Sequence, residues 1–183
     1  MAELKSDYDL VKSFIQGDQA AFNEIVNRYK QKIYWHARRM TGNHLDADEI
    51  LQEVFIVLFN KLKDFQFKSS LYTWIYKITS TRSLNYIKKR KAKEFLGLED
   101  KFDTLVSSGN EVVKDIENKE KLKKLDEVLQ KLPSKQREIF IYRNFEELSY
   151  EEIAEITGKS IGGLKANYFH AIQKITELMG NYE

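Results

Sequence analysis

The chain has 183 residues, with 30 Lys and Arg against 28 Asp and Glu, so its net charge is only +2. It contains no cysteine, which excludes disulfide frameworks, thiolate metal sites and thiol catalysis. No apolar run reaches membrane-spanning length, and the N-terminus lacks the basic-then-apolar order of a signal peptide. We therefore expect a cytoplasmic protein without direct membrane insertion. A single proline and eight glycines, in a chain rich in Leu, Ile, Lys and Glu, predict an all-α fold.

Apolar periodicity divides the chain into two units. It predicts a helical unit over 7–93 and a second, smaller one over 119–183, joined by a flexible linker over 94–118. The linker contains Ser107-Ser-Gly-Asn110 and no sustained apolar stripe. Residues 94–127 hold 10 acidic and 6 basic side chains, so this part of the chain carries −4. The fold class that we predict is therefore two small helical domains on either side of an acidic connection.

The first clearly predicted helix covers 46–62, with Asp46 as its N-cap. One side carries an apolar stripe that is typical of a core: Leu51, Val54, Phe55, Leu58 and Leu62. The other side carries two acids, an amide and an isoleucine: Glu49, Gln52, Glu53 and Ile56. An isoleucine in such surroundings indicates a protein-binding face, although single exposed isoleucines are also common.

The following segment, 61–93, is strongly cationic, with 10 basic side chains and 1 acidic one. Aromatic residues lie among these cations, a mixture typical of proteins that stack unpaired bases and neutralise phosphates. Part of the segment has the helical spacing of a core stripe: Leu71, Trp74, Ile75 and Ile78. The remaining face is predicted to lie on the outside: Tyr76, Lys77, Ser80 and Thr81. The sequence therefore predicts a nucleic-acid surface here.

Residues 148–165 have the spacing of a helix-turn-helix. A small residue, a turn glycine and a core leucine occur at the required positions: Ala154, Gly158 and Leu164. Ser149 with Glu152 forms a predicted capping box, and Ser160 is the predicted N-cap of the second helix. An ordinary helical hairpin uses the same caps, but the three spaced residues with both caps favour DNA binding.

The second helix of this motif has two different faces. The inward face is predicted to be apolar: Ile161, Leu164, Tyr168, Ile172, Ile175 and Met179. The outward face is predicted to enter the groove: Gly162, Ala166, Phe169, His170 and Gln173. Lys165 flanks that face and can donate to guanine or phosphate, and Arg143 is a predicted phosphate contact before the turn. The three histidines are too scattered for a metal site, and the sequence contains neither a glycine-rich phosphate loop nor a nucleophile motif. We therefore expect no metal, no cofactor and no catalytic residue.

Two groups of motifs resemble a known family. The first comprises Asp48-Glu-Ile-Leu-Gln52-Glu53, Phe65, Leu71-Tyr-Thr-Trp74-Ile and Thr81-Arg82-Ser-Leu. It is similar to conserved region 2 of bacterial RNA polymerase sigma factors of the sigma-70 family. The second comprises Leu132-Pro-x-x-x-Arg137-Glu-Ile-Phe140 and Leu148-Ser-Tyr-Glu-Glu-Ile-Ala154-Glu, and it resembles region 4 of that family. Without a recognisable region 3, the chain is most similar to the compact extracytoplasmic function (ECF) group.

The resemblance implies a function for each unit. Region 2, over 7–93, would dock on the β′ coiled coil of core RNA polymerase through Glu49, Gln52, Glu53 and Ile56. It would also bind the melted −10 element through Phe67, Lys68, Ser69, Ser70, Lys77, Arg82, Asn85, Lys88 and Lys89. Region 4, over 119–183, would dock on the β flap. It would read the −35 element through Arg143, Ser160, Gly162, Lys165, Ala166, Phe169 and His170.

The implied protein is a non-catalytic specificity subunit that directs transcription initiation at promoter DNA, with its linker in the RNA-exit path of polymerase. Many compact sigma factors are held inactive by an anti-sigma factor, so such a protein is a candidate partner. Asn167 and His170 stand where the family often has cations, and residues 128–183 carry −1, which predicts weak DNA binding without polymerase. A stand-alone helix-turn-helix repressor and a helical signalling adaptor are the alternatives. The repressor would need a dimer, and the adaptor leaves the cationic segment unexplained.

Overall fold

A computed structural model describes residues 5–97 and 116–180, the latter with side chains from Lys124 onward. These residues form eight α-helices and a short 3-10 helix, and no strand occurs among them, which confirms the all-α prediction. The helices are α1 Asp7–Ile15, α2 Gln19–Thr41, α3 His44–Lys61, α4 Leu71–Phe95, α5 Ile116–Lys131, α6 Ser134–Asn144, α7 Tyr150–Thr157 and α8 Ile161–Gly180; the 3-10 helix is Leu62–Asp64. Most of the predicted linker, residues 98–115, lies outside the described residues, as do residues 181–183.

Helices α1–α4, called here the N-terminal unit, share one apolar core. Its fully buried side chains come from every helix, with Val11, Ile25, Val54 and Ile75 as examples. The predicted stripe on α3 faces this core, with Val54, Leu58 and Leu62 buried and Leu51 and Phe55 half-buried against it. Helix α3 therefore turns its remaining side, which includes Ile56, to the outside.

The start of α3 differs from the sequence prediction, which placed the N-cap at Asp46. Gly42 ends α2 in the left-handed conformation with φ 78°, and Asn43 is the N-cap, accepting from the backbone N–H of Leu45 at 2.7 Å. Asp46 instead accepts hydrogen bonds at 2.8 Å each from Tyr86 and Arg90 in α4. Asn and Asp are equally good N-caps, so the preceding turn, which the sequence pattern did not reveal, decided between them.

Helices α5–α8, called here the C-terminal unit, contain the helix-turn-helix. The capping box is confirmed, because the hydroxyl of Ser149 accepts from the backbone of Glu152 and the Glu152 carboxylate accepts from the backbone of Ser149. Gly158 ends α7 with φ 69°, and Ser160 accepts from the backbone N–H of Gly163 at 3.2 Å. Both predicted helix starts and the glycine turn are therefore present.

The two units pack against each other, with α2 and α4 on one side and α6 and α7 on the other. Tyr76 of α4 lies in one apolar cluster with Ile139 and Tyr142 of α6. This overturns the prediction that Tyr76 and Ser80 lie on the outside, because both are buried, whereas Lys77 and Thr81 are exposed as predicted. The cause is a neighbour more than 50 residues away along the chain, which the local helical pattern of 71–93 does not encode.

Candidate polymerase and nucleic-acid interfaces

The outer side of α3 presents the four residues predicted to bind polymerase. Glu49 and Gln52 are exposed, Glu53 is partly exposed, and Ile56 has 60% of its surface open to solvent. Phe59, one turn further along, is also exposed, and sequence reasoning missed it. Its ring packs edge-on against Phe14 and Phe22, which explains how a large side chain can remain at the surface. An apolar centre with an acidic rim is thus available to a partner.

The loop between the 3-10 helix and α4 displays an aromatic series. Phe67 adopts φ 54° and remains 38% exposed, and its ring centroid lies 4.8 Å from that of Tyr8 and 5.0 Å from that of Phe65. Phe65 in turn lies 5.0 Å from Trp74. Tyr8 comes from α1, and no local pattern near residue 67 could have indicated it. The series offers exposed ring faces on which unpaired bases can stack.

The polar residues of the same loop have different surroundings. Lys68 is exposed and Ser69 is partly exposed, so both are available to a ligand. Ser70 is the N-cap of α4, and its hydroxyl accepts from the backbone N–H of Thr73 at 3.0 Å. Ser70 therefore holds the start of α4, and its contact with a flipped base stays a prediction.

The four cations and one asparagine of α4 that are predicted to contact the −10 DNA lie on one side of the helix. At about 100° per residue, all of them fall within roughly 140° of arc: Lys77, Arg82, Asn85, Lys88 and Lys89. All are exposed except Arg82, which is half-buried and lies 3.4 Å from the Glu53 carboxylate. That ion pair joins the cationic side of α4 to the outer side of α3, so the two candidate surfaces are contiguous.

The outer face of α8 matches the predicted reading face of the helix-turn-helix. Every predicted residue of this face in the turn and in α8 is exposed: Ser160, Gly162, Lys165, Ala166, Phe169 and His170. Phe169 is 57% exposed, and no atom lies near the position of a Cβ at Gly162, so packing does not require a glycine there. On the predicted inward face Leu164 is buried, whereas Ile172 is 36% exposed. The neighbouring Ala171, which the sequence analysis did not place on this face, is buried instead.

Arg143 is engaged within the protein rather than displayed. It donates a hydrogen bond to the carbonyl of Leu148, and its guanidinium lies 4.8 Å from the ring centroid of Tyr150. These contacts brace the turn that leads into α7. Arg143 is partly exposed, and its contact with phosphate stays a prediction.

Neither a metal cluster nor a membrane span is found within 5–97 and 116–180. No three His, Cys, Asp or Glu side chains there are grouped as metal ligands, and no helix is long and apolar enough to cross a bilayer.

His36 is fully buried, and burial lowers its pKa to about 3, with the nearby Arg39 charge as the smaller cause. The histidine is therefore neutral at physiological pH.

Comparisons with known proteins show which family the chain belongs to. The model of the family Sigma-70 region 2 matches residues 25–93, and that of Sigma-70, region 4 matches residues 122–175. The ECF RNA polymerase sigma factor SigW of Bacillus subtilis is 31% identical over 162 residues, covering 85% of this chain and 87% of SigW. The ECF RNA polymerase sigma-E factor of Haemophilus influenzae is 31% identical over 182 residues, covering 96% of each chain. The chain belongs to the ECF sigma factors.

Two solved structures have a similar fold. CnrH, in complex with the cytosolic domain of CnrY, superposes with a TM-score of 0.72 at 19% identity, covering 98% of this chain and 100% of CnrH. The sigma factor RpoE from Bartonella quintana, in complex with the anti-sigma factor NepR, superposes with a TM-score of 0.70 at 23% identity. The match covers 87% of this chain and 96% of RpoE. The two family models and the relatives above 30% identity confirm the resemblance at the level of the family. The matched segments lie inside 7–93 and 119–183, whose outer limits stay predictions.

Proposed function

We propose that this sigma factor binds core RNA polymerase and directs promoter-specific initiation, with the N-terminal unit recognising the −10 element and the C-terminal unit the −35 element. One observation carries the proposal: an exposed aromatic series beside a cationic helix side lies in the same chain as a helix-turn-helix with an open reading face. The aromatic and cationic surface suits a melted strand, and the helix-turn-helix suits duplex DNA.

The polymerase contacts follow from the remaining exposed surfaces. The outer side of α3, with Ile56 at its centre, is the surface that we assign to the β′ coiled coil, and the C-terminal unit docks on the β flap. Catalysis belongs to polymerase, so the chain needs no cofactor and acts in the cytoplasm. An anti-sigma factor is a further proposed partner, since CnrH and RpoE are each described in complex with another protein, for RpoE the anti-sigma factor NepR.

A pull-down with core RNA polymerase tests the α3 assignment. Ile56→Glu adds a charge to the apolar centre of the face, so we expect its affinity for core polymerase to fall about tenfold or more, as for a residue near the centre of an interface. Ile15→Glu is the matched control, because Ile15 is also an exposed isoleucine but lies on α1. Equal binding by both variants would remove α3 from the interface. A wild-type chain that fails to bind polymerase would favour the repressor or adaptor alternatives.

A further inference from the structure

Helix α1 brings an aromatic ring to the loop that carries Phe67. Tyr8 lies in the first turn of α1, and its ring centroid is 4.8 Å from that of Phe67, with the two ring planes at 58° to each other. Helix α1 also packs against the 3-10 helix that precedes the loop. Tyr8 is 49% exposed, more than Phe67 itself. None of the polymerase or DNA contacts assigned above lies on α1.

The first turn of α1 is tied down on both sides of Tyr8. Ser6 is the N-cap of the helix, and a capping box closes its first turn. Asp7 accepts a hydrogen bond at 2.6 Å from the guanidinium of Arg28 and another from the hydroxyl of Tyr29, both in α2. The backbone at Tyr8 is therefore held in place before any ligand binds, which reduces the ordering that binding requires.

Phe67 has a backbone conformation that favours glycine. Its φ of 54° lies in the left-handed region, which is costly for a residue with a Cβ. Residues held in such conformations cluster at ligand sites, because the surrounding structure must support them. Glycine would be unstrained at this position but would place no ring beside Tyr8. The contact between the two rings thus coincides with the strained residue of the loop.

The two exposed rings of the aromatic series differ from the two inner ones. Phe65 and Trp74 are half-buried and pack against the core of the N-terminal unit, whereas Tyr8 and Phe67 are open to solvent. Because the planes of Tyr8 and Phe67 are inclined at 58°, one flat base cannot stack on both of them. The pair therefore offers separate stacking surfaces to two bases.

A cation accompanies the ring of Tyr8. Lys12 follows one turn later on α1, is exposed, and holds its ammonium 4.3 Å from the centroid of that ring. A contact of this kind is weak at an exposed site, so a base that stacks on Tyr8 can displace the ammonium. The flexible Lys12 side chain is then beside the nucleotide and can pair with its phosphate. Lys68, next to Phe67 in the chain, is exposed as well, so a cation is available near each ring.

We propose that Tyr8 and Lys12 form a nucleotide subsite on α1, which binds the unpaired nucleotide next to the one that stacks on Phe67. Tyr8 stacks on the base and Lys12 pairs with the phosphate, so the subsite accepts any of the four bases. The subsite rests on the proposed function, because its ligand belongs to the same melted strand. It extends the DNA-binding surface onto a helix outside residues 25–93, the segment that the region 2 family model matches.

Fluorescence anisotropy with the complex of this chain and core polymerase tests the subsite. The probe is a fluorescein-labelled single strand with the −10 sequence that runoff transcription identifies. In a matched set of strands, one nucleotide at a time is replaced by an abasic residue, which keeps the phosphate and removes the base. We expect two neighbouring positions at which the abasic residue weakens binding to the wild-type complex about fivefold or more, the lower end for one stacked base.

Tyr8→Leu removes the ring and keeps an apolar side chain against Phe67. We expect it to weaken binding of the intact strand about fivefold or more and to lose the abasic effect at one of the two positions. Phe67→Gly should lose the effect at the other position. Tyr8→Phe, the matched control, keeps the ring and should show both effects.

The salt dependence of the same titrations tests Lys12. Lys12→Gln should lower the slope of log affinity against log salt by about 0.7, as for the loss of one phosphate contact on a single strand. Lys30→Gln removes an exposed charge from α2 and should leave the slope unchanged. An equal slope for Lys12→Gln and the wild type would remove Lys12 from the subsite.

Three results would overturn the subsite at Tyr8. One is wild-type affinity in Tyr8→Leu. Another is a loss by the same factor for every strand, intact or abasic, because a purely structural role would weaken all of them equally. The third is that Tyr8→Leu and Phe67→Gly lose the abasic effect at the same position, which would mean that one base contacts both rings. A wild-type complex that binds no single-stranded DNA contradicts the proposed function itself, and the subsite falls with it.

Discussion

The hydroxyl of Tyr76 in α4 donates a hydrogen bond of 2.6 Å to the carboxylate of Glu146, which lies 70 residues later in the chain. Tyr76 is fully buried, and burial followed by the Glu146 charge raises its pKa, so the phenol stays protonated and remains the donor. Burial likewise raises the pKa of Glu146, while the hydrogen bond from Tyr76 opposes that rise. The pair is therefore a directional contact between the two units.

Tyr76→Phe removes this donor and keeps the ring. The Glu146 carboxylate is then left half-covered without its partner, and we expect the free energy of unfolding to fall by about 1–3 kcal/mol. Urea denaturation measures the change, with Tyr8→Phe as control, since Tyr8 is exposed. If both variants lose the same stability, the contact with Glu146 does not hold the units together.

His36 makes stability depend on pH. Its pKa is about 3 in the folded chain and 6.5 in its ordinary state, mainly because of burial against Tyr76 and Tyr142 and secondarily because of Arg39. Below pH 6.5 the unfolded chain binds a proton that the folded chain does not, so stability is fully present above 6.5 and is lost as the pH falls towards 3.

His36→Phe isolates this effect, because all other titrating groups are common to both proteins. Between pH 7 and pH 5 the wild type should lose about 2 kcal/mol more unfolding free energy than the variant, at about 1.4 kcal/mol per pH unit below 6.5. Urea titrations of both proteins at the two pH values give the comparison. Parallel losses would show that His36 titrates normally in the folded chain.

Local sequence signals account for most of the fold. The capping box at Ser149 and Glu152, the glycine at 158 and the apolar stripe of α3 depend on residues a few positions apart, and each is present as predicted. The burial of Tyr76 was not predictable in this way, because a residue from another helix supplies its cover. For the same reason no local pattern indicated that Tyr8 extends the aromatic series or that Arg143 braces a turn.

Exposure of the candidate site residues was predicted better than their contacts. A helical wheel places Ile56, Lys77 and Phe169 outside from spacing alone, and the structure agrees. It cannot show that Arg82 pairs with Glu53, or that Ser70 caps α4, because these depend on side-chain geometry between elements or at a helix start. Their roles toward DNA and polymerase stay predictions.

The ring of Phe67 is the centre of the proposed base-stacking site. Its φ of 54° suits glycine, so Phe67→Gly removes the ring without backbone strain. We expect binding of a single-stranded −10 oligonucleotide to the polymerase complex to weaken by about 1–3 kcal/mol, the usual contribution of one stacked base. Phe67→Tyr retains the ring and should bind nearly as the wild type does. Equal fluorescence anisotropy titrations for the Gly and Tyr variants would place the base elsewhere.

The helix-turn-helix has few cations, so we expect weak binding to duplex DNA in the absence of polymerase. His170→Arg adds a cation to the exposed face of α8, and it should increase the slope of log affinity against log salt by about 0.9. Asn23→Arg, exposed on α2, is the control for added charge alone. Nanomolar, sequence-specific binding by 119–183 alone at about 0.15 M salt would contradict the expectation, because that affinity is typical of specific DNA-binding proteins.

Runoff transcription with core RNA polymerase on a genomic library tests most directly whether this ECF sigma factor directs initiation. We expect discrete transcripts that appear only when the chain is added, with start sites that share one sequence element near −10 and another near −35. Ile56→Glu should abolish these transcripts, and Ile15→Glu should retain them. A wild-type chain that neither binds core polymerase nor adds any promoter-specific transcript would contradict the account.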